Sequence, residues 1–268
     1  MATIYFIGGE IGGAGKSTFC MLLIEGFLQS KILYHFRDAD RSTPNVGWAY
    51  DAEHYPKAAD LKGNFDATDP RAWKPVVFSE DLDDYSQADR LLDLAKEHDV
   101  IVNLPAQVSS SFDKWIDDGK YLDKQERLDI KFVYYWVAKA EQRSIDLLFT
   151  NVKKFPKMPH ILVCNQLRGV GEKWTSMLTE DLKKRLDKEG IKTMDMAELK
   201  LSPVERGLLD RENPRFQDLI AESDTRLSLA ATERCETFVA TTIASIKACG
   251  FFPVVVDDKP KLQKAAGT

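Results

Sequence analysis

Residues 4–20, IYFIGGEIGGAGKSTFC, decide how the rest of the chain is read. The apolar run Ile4, Tyr5, Phe6, Ile7 leads into five glycines within eight positions. Lys16, Ser17 and Thr18 follow, then an apolar stretch through Cys20, Met21, Leu22, Leu23 and Ile24. That order predicts a strand, a glycine loop and a helix. Glycine accepts backbone angles that a Cβ forbids, so successive N–H groups can turn inward around phosphate oxygens. The start of the following helix adds its free N–H groups and the positive end of its dipole. In such a loop Lys16 reaches the β- and γ-phosphates, and the Ser17 hydroxyl binds Mg2+. A plain glycine turn with an exposed lysine would require neither the strand before it nor the helix after it.

The loop is also irregular. A glycine five residues before Gly15 is usual in phosphate loops, and this chain has Glu10 there. What is kept is Gly12-Gly13-Ala14-Gly15-Lys16-Ser17-Thr18. This run resembles the variant Walker A element of the ParA/MinD superfamily, Lys-Gly-Gly-x-Gly-Lys-[Ser/Thr]-[Ser/Thr]. The resemblance implies a P-loop NTPase fold and ATP or ADP held with Mg2+ by residues 12–18. It also implies a face-to-face, nucleotide-dependent homodimer that recruits a protein partner or DNA. In that family the first lysine crosses the dimer interface to the partner's nucleotide. Here its place is taken by Ile11, which cannot pair with phosphate; Arg37, Arg41 and Arg168 are the nearest basic candidates by motif.

A second strand is expected at Ile32–Phe36, ending in Arg37-Asp38-Ala39-Asp40-Arg41. Carboxylates just past a strand's C-terminal edge lie where doubly wound sheets bind ligands. By resemblance to the superfamily's Asp-x-Asp, Asp40 would position the attacking water and Asp38 would stand near the magnesium shell. Without the glycine loop, both would read as turn or cap acids.

Pro44, Pro56, Pro70 and Pro75 break periodicity between Ser42 and Ser79, while Trp48, Tyr50, Tyr55, Phe65 and Trp73 keep that stretch from reading as a disordered linker. It is expected to be a switch-like cover or a hairpin, with Trp73–Ser79 as an edge strand. A helix is expected over Asp83–His98, then a buried parallel strand at Asp99–Ala106. The family carries its Walker B acid on that strand; here the position is Asn103, which adds no negative charge to hold a metal. The loop Gln107–Ser111 would be a second switch, entering a helix near Phe112–Ile116.

Further strands are expected at Ile130–Val137 and His160–Gln166, separated by a helix over Glu141–Lys154. By resemblance Asn165 would contact the purine base; taken alone it is equally a strand-end turn residue. A charged helix is expected over Trp174–Glu189, its Lys183, Lys184, Arg185 and Lys188 most simply a solvated face. A last strand is expected within Lys192–Leu201; Leu201–Val204 resembles the superfamily's loop after that strand, and by that resemblance would pack against the base. Asp210–Ser223 reads as a polar, mobile insertion. A long helix follows over Asp224–Cys249, then Phe251–Val256 as a short strand or packing tail.

The order of elements predicts an α/β three-layer sandwich with a mostly parallel central sheet. Residues 1–256 are expected to form one nucleotide-binding domain, with 257–268 a polar tail. The chain has 268 residues, 44% hydrophobic and 29% charged, and a net charge of −5. That charge gives no global attraction to nucleic acid or anionic membrane, so DNA is the weaker partner expectation. The Lys-rich tail has no apolar face to seat on a membrane. Four scattered cysteines, and no leader or membrane-spanning run, are the pattern of a cytoplasmic protein.

The functions to be weighed are therefore three. The first is a ParA/MinD-like switch with weak ATPase activity, of the kind that serves plasmid partition, conjugative mobilisation or cargo positioning. The second is a nucleotide-held assembly module with little or no turnover. The third is a small-molecule kinase or amidoligase on the same loop.

Overall fold

Strand β1 (Ala2–Gly8) lies inside a six-stranded sheet because it is apolar on both faces. The computed structural model describes residues 1–40, 43–52, 54–55, 76–81, 84–166, 173–221 and 224–253. The remaining strands are β2 (Tyr34–Asp38), β3 (Asp99–Asn103), β4 (Ile130–Ala138), β5 (His160–Asn165) and β6 (Lys192–Met196). Their order is β2-β3-β1-β4-β5-β6, and every neighbouring pair is parallel. Side chains alternate across a strand. Ile4 and Phe6 accordingly enter one apolar cluster, and Tyr5 and Ile7 the other. This is the three-layer sandwich with a parallel sheet that the sequence predicts.

The described helices are α1 (Lys16–Gln29), α2 (Asn45–Tyr50), α3 (Arg90–Leu94), α4 (Ser109–Gly119), α5 (Gln125–Leu128) and α6 (Gln142–Lys154). After them come α7 (Trp174–Met177), α8 (Glu180–Lys188), α9 (Pro203–Glu212), α10 (Phe216–Leu219) and α11 (Leu229–Ala248). Helices α1, α10 and α11 cover the Tyr5 face; α4, α6 and α8 cover the Phe6 face. The strand order reverses at β1, which has β3 on one side and β4 on the other. Ligand crevices in open parallel sheets form at that point, beyond the strands' carboxyl ends.

Several expected boundaries move, each for a local reason. Strand β2 starts at Tyr34 rather than Ile32, because the left-handed Lys31 (φ 54°) and the Ile32 N–H to Phe27 carbonyl bond of 3.0 Å close the end of α1 first. At its other end β2 pairs with β3 as far as Asp38, opposite Asn103, so Asp38 belongs to the strand itself. The helix expected over 83–98 is a 3-10 turn (Tyr85–Asp89) running into the short α3. Trp115 Nε1 and Tyr121 Oη both donate to Asp89 Oδ1 at 3.0 Å, a tertiary tie that periodicity does not encode. The charged helix expected over 174–189 breaks at Thr179, whose hydroxyl caps the Leu182 N–H. Of the edge strand expected over Trp73–Ser79, residues 73–75 lie outside the described residues; residues 76–79 form no strand, and Val76, Val77 and Phe78 are buried in a loop.

The stretch expected as a polar insertion after Asp210 is a packed wall. Phe216 and Leu219 are buried, and the buried carboxylate of Glu25 on α1 accepts from Tyr50 Oη (2.6 Å) and the Gln217 N–H (3.0 Å). Those bonds fix α2 and α10 against α1. Phe252 packs edge-on against Phe27, with centroids 5.1 Å apart. No strand forms over residues 251–253, and residues 254–256 and the 257–268 tail lie outside the described residues. No helix among the described residues is long and apolar enough to cross a membrane.

Candidate phosphate and nucleotide site

Two of the loop glycines are there because of close approach. Gly9 has φ 141°, and a Cβ on it would stand 2.5 Å from the Val137 carbonyl oxygen at the end of β4. Gly15 has φ 94°, and a Cβ there would meet Asn165 Nδ2 at 2.5 Å. The loop thus lies directly on the ends of β4 and β5. Gly15 is the N-cap of α1 and brings no side chain to cap it; the first turn also holds no acidic residue. The N–H groups opening α1 are left to an external anion.

Basic groups gather on this loop. Lys16 Nζ approaches the Ile11 carbonyl oxygen at 3.5 Å. Burial lowers the Lys16 pKa, Glu10 and Asp40 oppose that, and Lys139 reinforces it. Burial likewise raises the pKa of Glu10, against the pull of Lys16. Glu10 is thus close enough to Lys16 to partner it electrostatically.

Lys139, absent from the sequence candidates, donates to the Gly12 carbonyl oxygen at 3.0 Å. The signal for it was in the sequence: a lysine placed directly after a strand that would neighbour the first. Of the basic candidates named by motif, Arg37 donates to the Phe36 carbonyl at 2.6 Å, and its charged neighbours are Asp51 and Arg90. It does not serve the loop. Arg41 and Arg168 lie outside the described residues.

Asp38 is placed otherwise than a free metal ligand would be. Its Oδ1 accepts from Asn103 Nδ2 (2.9 Å) and the Asp40 N–H (3.2 Å), and its Oδ2 from the N–H groups of Val46 and Gly47 (both 3.1 Å). Four donors fill the in-plane lone pairs of one carboxylate. Burial nevertheless pushes its pKa up to about 6. Its visible work is to anchor the start of α2 to the sheet. To coordinate Mg2+ directly, Asp38 would first have to give up one of these bonds.

Asp40 lies one step further out. Its Oδ1 accepts from the Thr43 N–H at 3.1 Å, and its charge reaches Lys16.

Asn103 ends β3 beside Ile7 of β1. Its amide N–H goes to Asp38, while its Oδ1 is buried and has no hydrogen-bond partner among the described residues. An orphaned buried acceptor at a phosphate site suits a donor such as a metal-bound water. Among the described residues no cluster of three His, Cys, Asp or Glu side chains could hold a metal by itself. A magnesium ion here would depend on phosphate oxygens and water, with the Ser17 hydroxyl, for most of its ligands.

A cavity of about 460 Å³ opens from the loop toward β6 and α9. Gly13, Gly15, Ser17 and Thr18 form its phosphate end. Asn165, Met196, Leu199, Leu201 and Phe216 form its far, largely apolar end. Asn165 Nδ2 donates to the Ala14 carbonyl at 2.8 Å, and Trp174 Nε1 holds the Asn165 carbonyl at 2.9 Å. Asn165 is therefore first a clamp between β5 and the loop. Arg206, fixed by the Leu199 carbonyl at 2.9 Å, and Asp210 add polar groups that the sequence reading did not single out.

No protein-family model and no curated protein matches the sequence. Among solved structures, a protein assigned to plasmid partition from Borrelia burgdorferi B31, bound to AMPPNP, is similar at 15% identity, covering 92% of this chain and 100% of its own, with a TM-score of 0.49. The MinD cell division protein of Aquifex aeolicus is similar at 15% identity, 90% and 98% coverage and a TM-score of 0.46. A nucleotide-binding protein from Archaeoglobus fulgidus in complex with ADP gives 13%, 94% and 92%, and 0.43. Superpositions this loose leave the functional reading to the residues of the site.

Proposed function

We propose that the chain is a nucleotide-dependent switch of the ParA/MinD type that binds ATP or ADP with Mg2+ and turns ATP over slowly. One observation carries this. A loop with bare N–H groups at the start of α1, and with Lys16 upon it, opens into a cavity of nucleotide size whose far end mixes the apolar Met196, Leu199, Leu201 and Phe216 with the polar Asn165, Arg206 and Asp210. Lys16 and residues Gly12–Thr18 would hold the phosphates, and the space between Asn165 and Leu201 would receive the base. When bound, magnesium would neutralise phosphate charge; Ser17 would offer it a hydroxyl, and Asn103 Oδ1 would accept from its water. In hydrolysis Asp40 would orient the attacking water, while Lys16 and the loop N–H groups stabilise phosphate charge.

Slow turnover is favoured over fast by Asn103. An amide stands where an acid would add charge, and it spends its N–H on Asp38. The same observation supports the reading as an assembly module, in which nucleotide sets the shape of a dimer or partner surface and chemistry matters little. Equilibrium binding of ATP and ADP with Mg2+, beside ATP turnover at several protein concentrations, tests both. Binding that Lys16→Ala abolishes, with turnover that Asp40→Ala removes, supports the switch. Binding without turnover moves the protein to the assembly reading. Full ATP affinity in Lys16→Ala rejects the phosphate loop.

A further inference from the structure

The loop leaves β1 over the end of β4, because β1 and β4 pair in parallel as far as Gly8 and Trp136. Lys139 is the first residue past β4, and its half-buried side chain turns back over the loop. Its Nζ lies 3.0 Å from the Gly12 carbonyl oxygen and 3.5 Å from where a Cβ of Gly13 would stand. Lys16 Nζ approaches the preceding carbonyl, that of Ile11. Two ammonium groups thus bear on consecutive carbonyls of one glycine loop. Like charges so placed repel one another, and a neutral carbonyl uses only one of the three N–H donors that each carries. The ligand such a pair suits is a polyanion.

The close approach is itself built in. Gly9, with no Cβ to strike the Val137 carbonyl, lets the loop sit against the end of β4 and hence within reach of Lys139. Position 11 within the loop is isoleucine and brings no charge of its own.

We propose that Lys139 is a second phosphate-binding lysine acting in cis, donating to the phosphates of the nucleotide that the loop holds. The inference rests on the nucleotide reading of the loop. It assigns the extra cation to the chain that holds the nucleotide, so binding charge is complete in a single copy.

The test is equilibrium binding of ATP and ADP to the full chain, comparing wild type, Lys16→Ala, Lys139→Gln and Lys139→Arg at low and high salt and at several protein concentrations. Thermal melting checks that each variant is folded. Lys139→Gln is expected to lose about tenfold in ATP affinity, the size of one charge-assisted hydrogen bond, and to show a shallower salt dependence. Lys139→Arg should recover most of the loss, and the loss should not vary with protein concentration.

Wild-type affinity and salt dependence in Lys139→Gln would overturn the proposal. So would a loss that Arg does not recover and that leaves the salt dependence unchanged, since Lys139 would then only prop the Gly12 carbonyl. A loss that appears only at concentrations where chains associate would overturn action in cis. Failure of the underlying reading looks different: wild type binds neither nucleotide, or Lys16→Ala binds as wild type does.

Discussion

Asn103 donates its side-chain amide to Asp38 across the ends of β3 and β2, over 2.9 Å, with both residues only 2% exposed. The bond sets an amide donor beside a buried carboxylate. An acid in place of the amide should therefore cost the fold. In Asn103→Asp a donor becomes a second carboxylate beside Asp38, and the pair cannot both ionise cheaply. We expect a loss of about 2–4 kcal/mol above neutral pH, where both would be charged. The sign follows from Asp38, whose folded pKa of about 6 lies above its ordinary 3.8. The folded state keeps that proton longer, so stability falls as pH rises through this window, and more so in the variant. Urea unfolding on either side of pH 6 measures it; equal losses at both would mean that the charges do not meet.

Glu10 stands in the loop and is coupled to Lys16. Glu10→Gln removes a negative charge from the neighbourhood of the phosphates and should raise ATP affinity about threefold to tenfold at low salt. Titration calorimetry reads this directly. Weaker binding would show instead that Glu10 holds Lys16 in place.

Gly15 and Gly12 offer a contrast within one loop. Gly15→Ala meets both a left-handed backbone (φ 94°) and Asn165 Nδ2 at 2.5 Å, so it should cost about 1–3 kcal/mol and disturb the clamp to β5. A Cβ on Gly12 meets nothing within 4 Å, so Gly12→Ala should melt close to wild type. If Gly12→Ala keeps its stability yet loses nucleotide, the space that its Cβ enters is where phosphate sits.

His160, at the start of β5, is buried with Nδ1 2.7 Å from the Met158 carbonyl and Nε2 2.7 Å from the Asn151 side chain. Burial pushes its pKa down to about 4, against the Met158 carbonyl, which favours the charged ring. The unfolded chain binds this proton near pH 6.5 and the folded chain does not until about pH 4. Stability from this residue is therefore complete above the unfolded value and lost as pH falls toward the folded one, by at most about 3 kcal/mol. His160→Gln should flatten the denaturation midpoint against pH between those limits; an unchanged slope would place the acid sensitivity elsewhere.

The sequence alone determined the parallel sheet and the glycine loop between its first strand and helix. Short apolar runs rich in β-branched residues, such as Ile4–Ile7 and Val100–Val102, read as strands buried on both faces, and glycine followed by Lys-Ser-Thr at a helix start has few uses. Local pattern also carried α1, α4, α6 and α11 to within a few residues. It failed where long-range partners decide. Trp115 and Tyr121 hold Asp89 in a 3-10 turn, Glu25 gathers α2 and α10 into a wall, and pairing with β3 carries β2 on to Asp38.

The site divided in the same way. Lys16 and Ser17 were legible because motif spacing fixes them within the loop, and Asn165 was named by resemblance, while its bond to the Ala14 carbonyl was not foreseen. Lys139 comes from a strand more than a hundred residues away, and only the parallel pairing of β1 with β4 sets its ammonium on the Gly12 carbonyl. The filling of Asp38 by four donors is likewise a fact of three dimensions. Residue type states what a group can donate or accept; the fold decides which neighbours have already taken it.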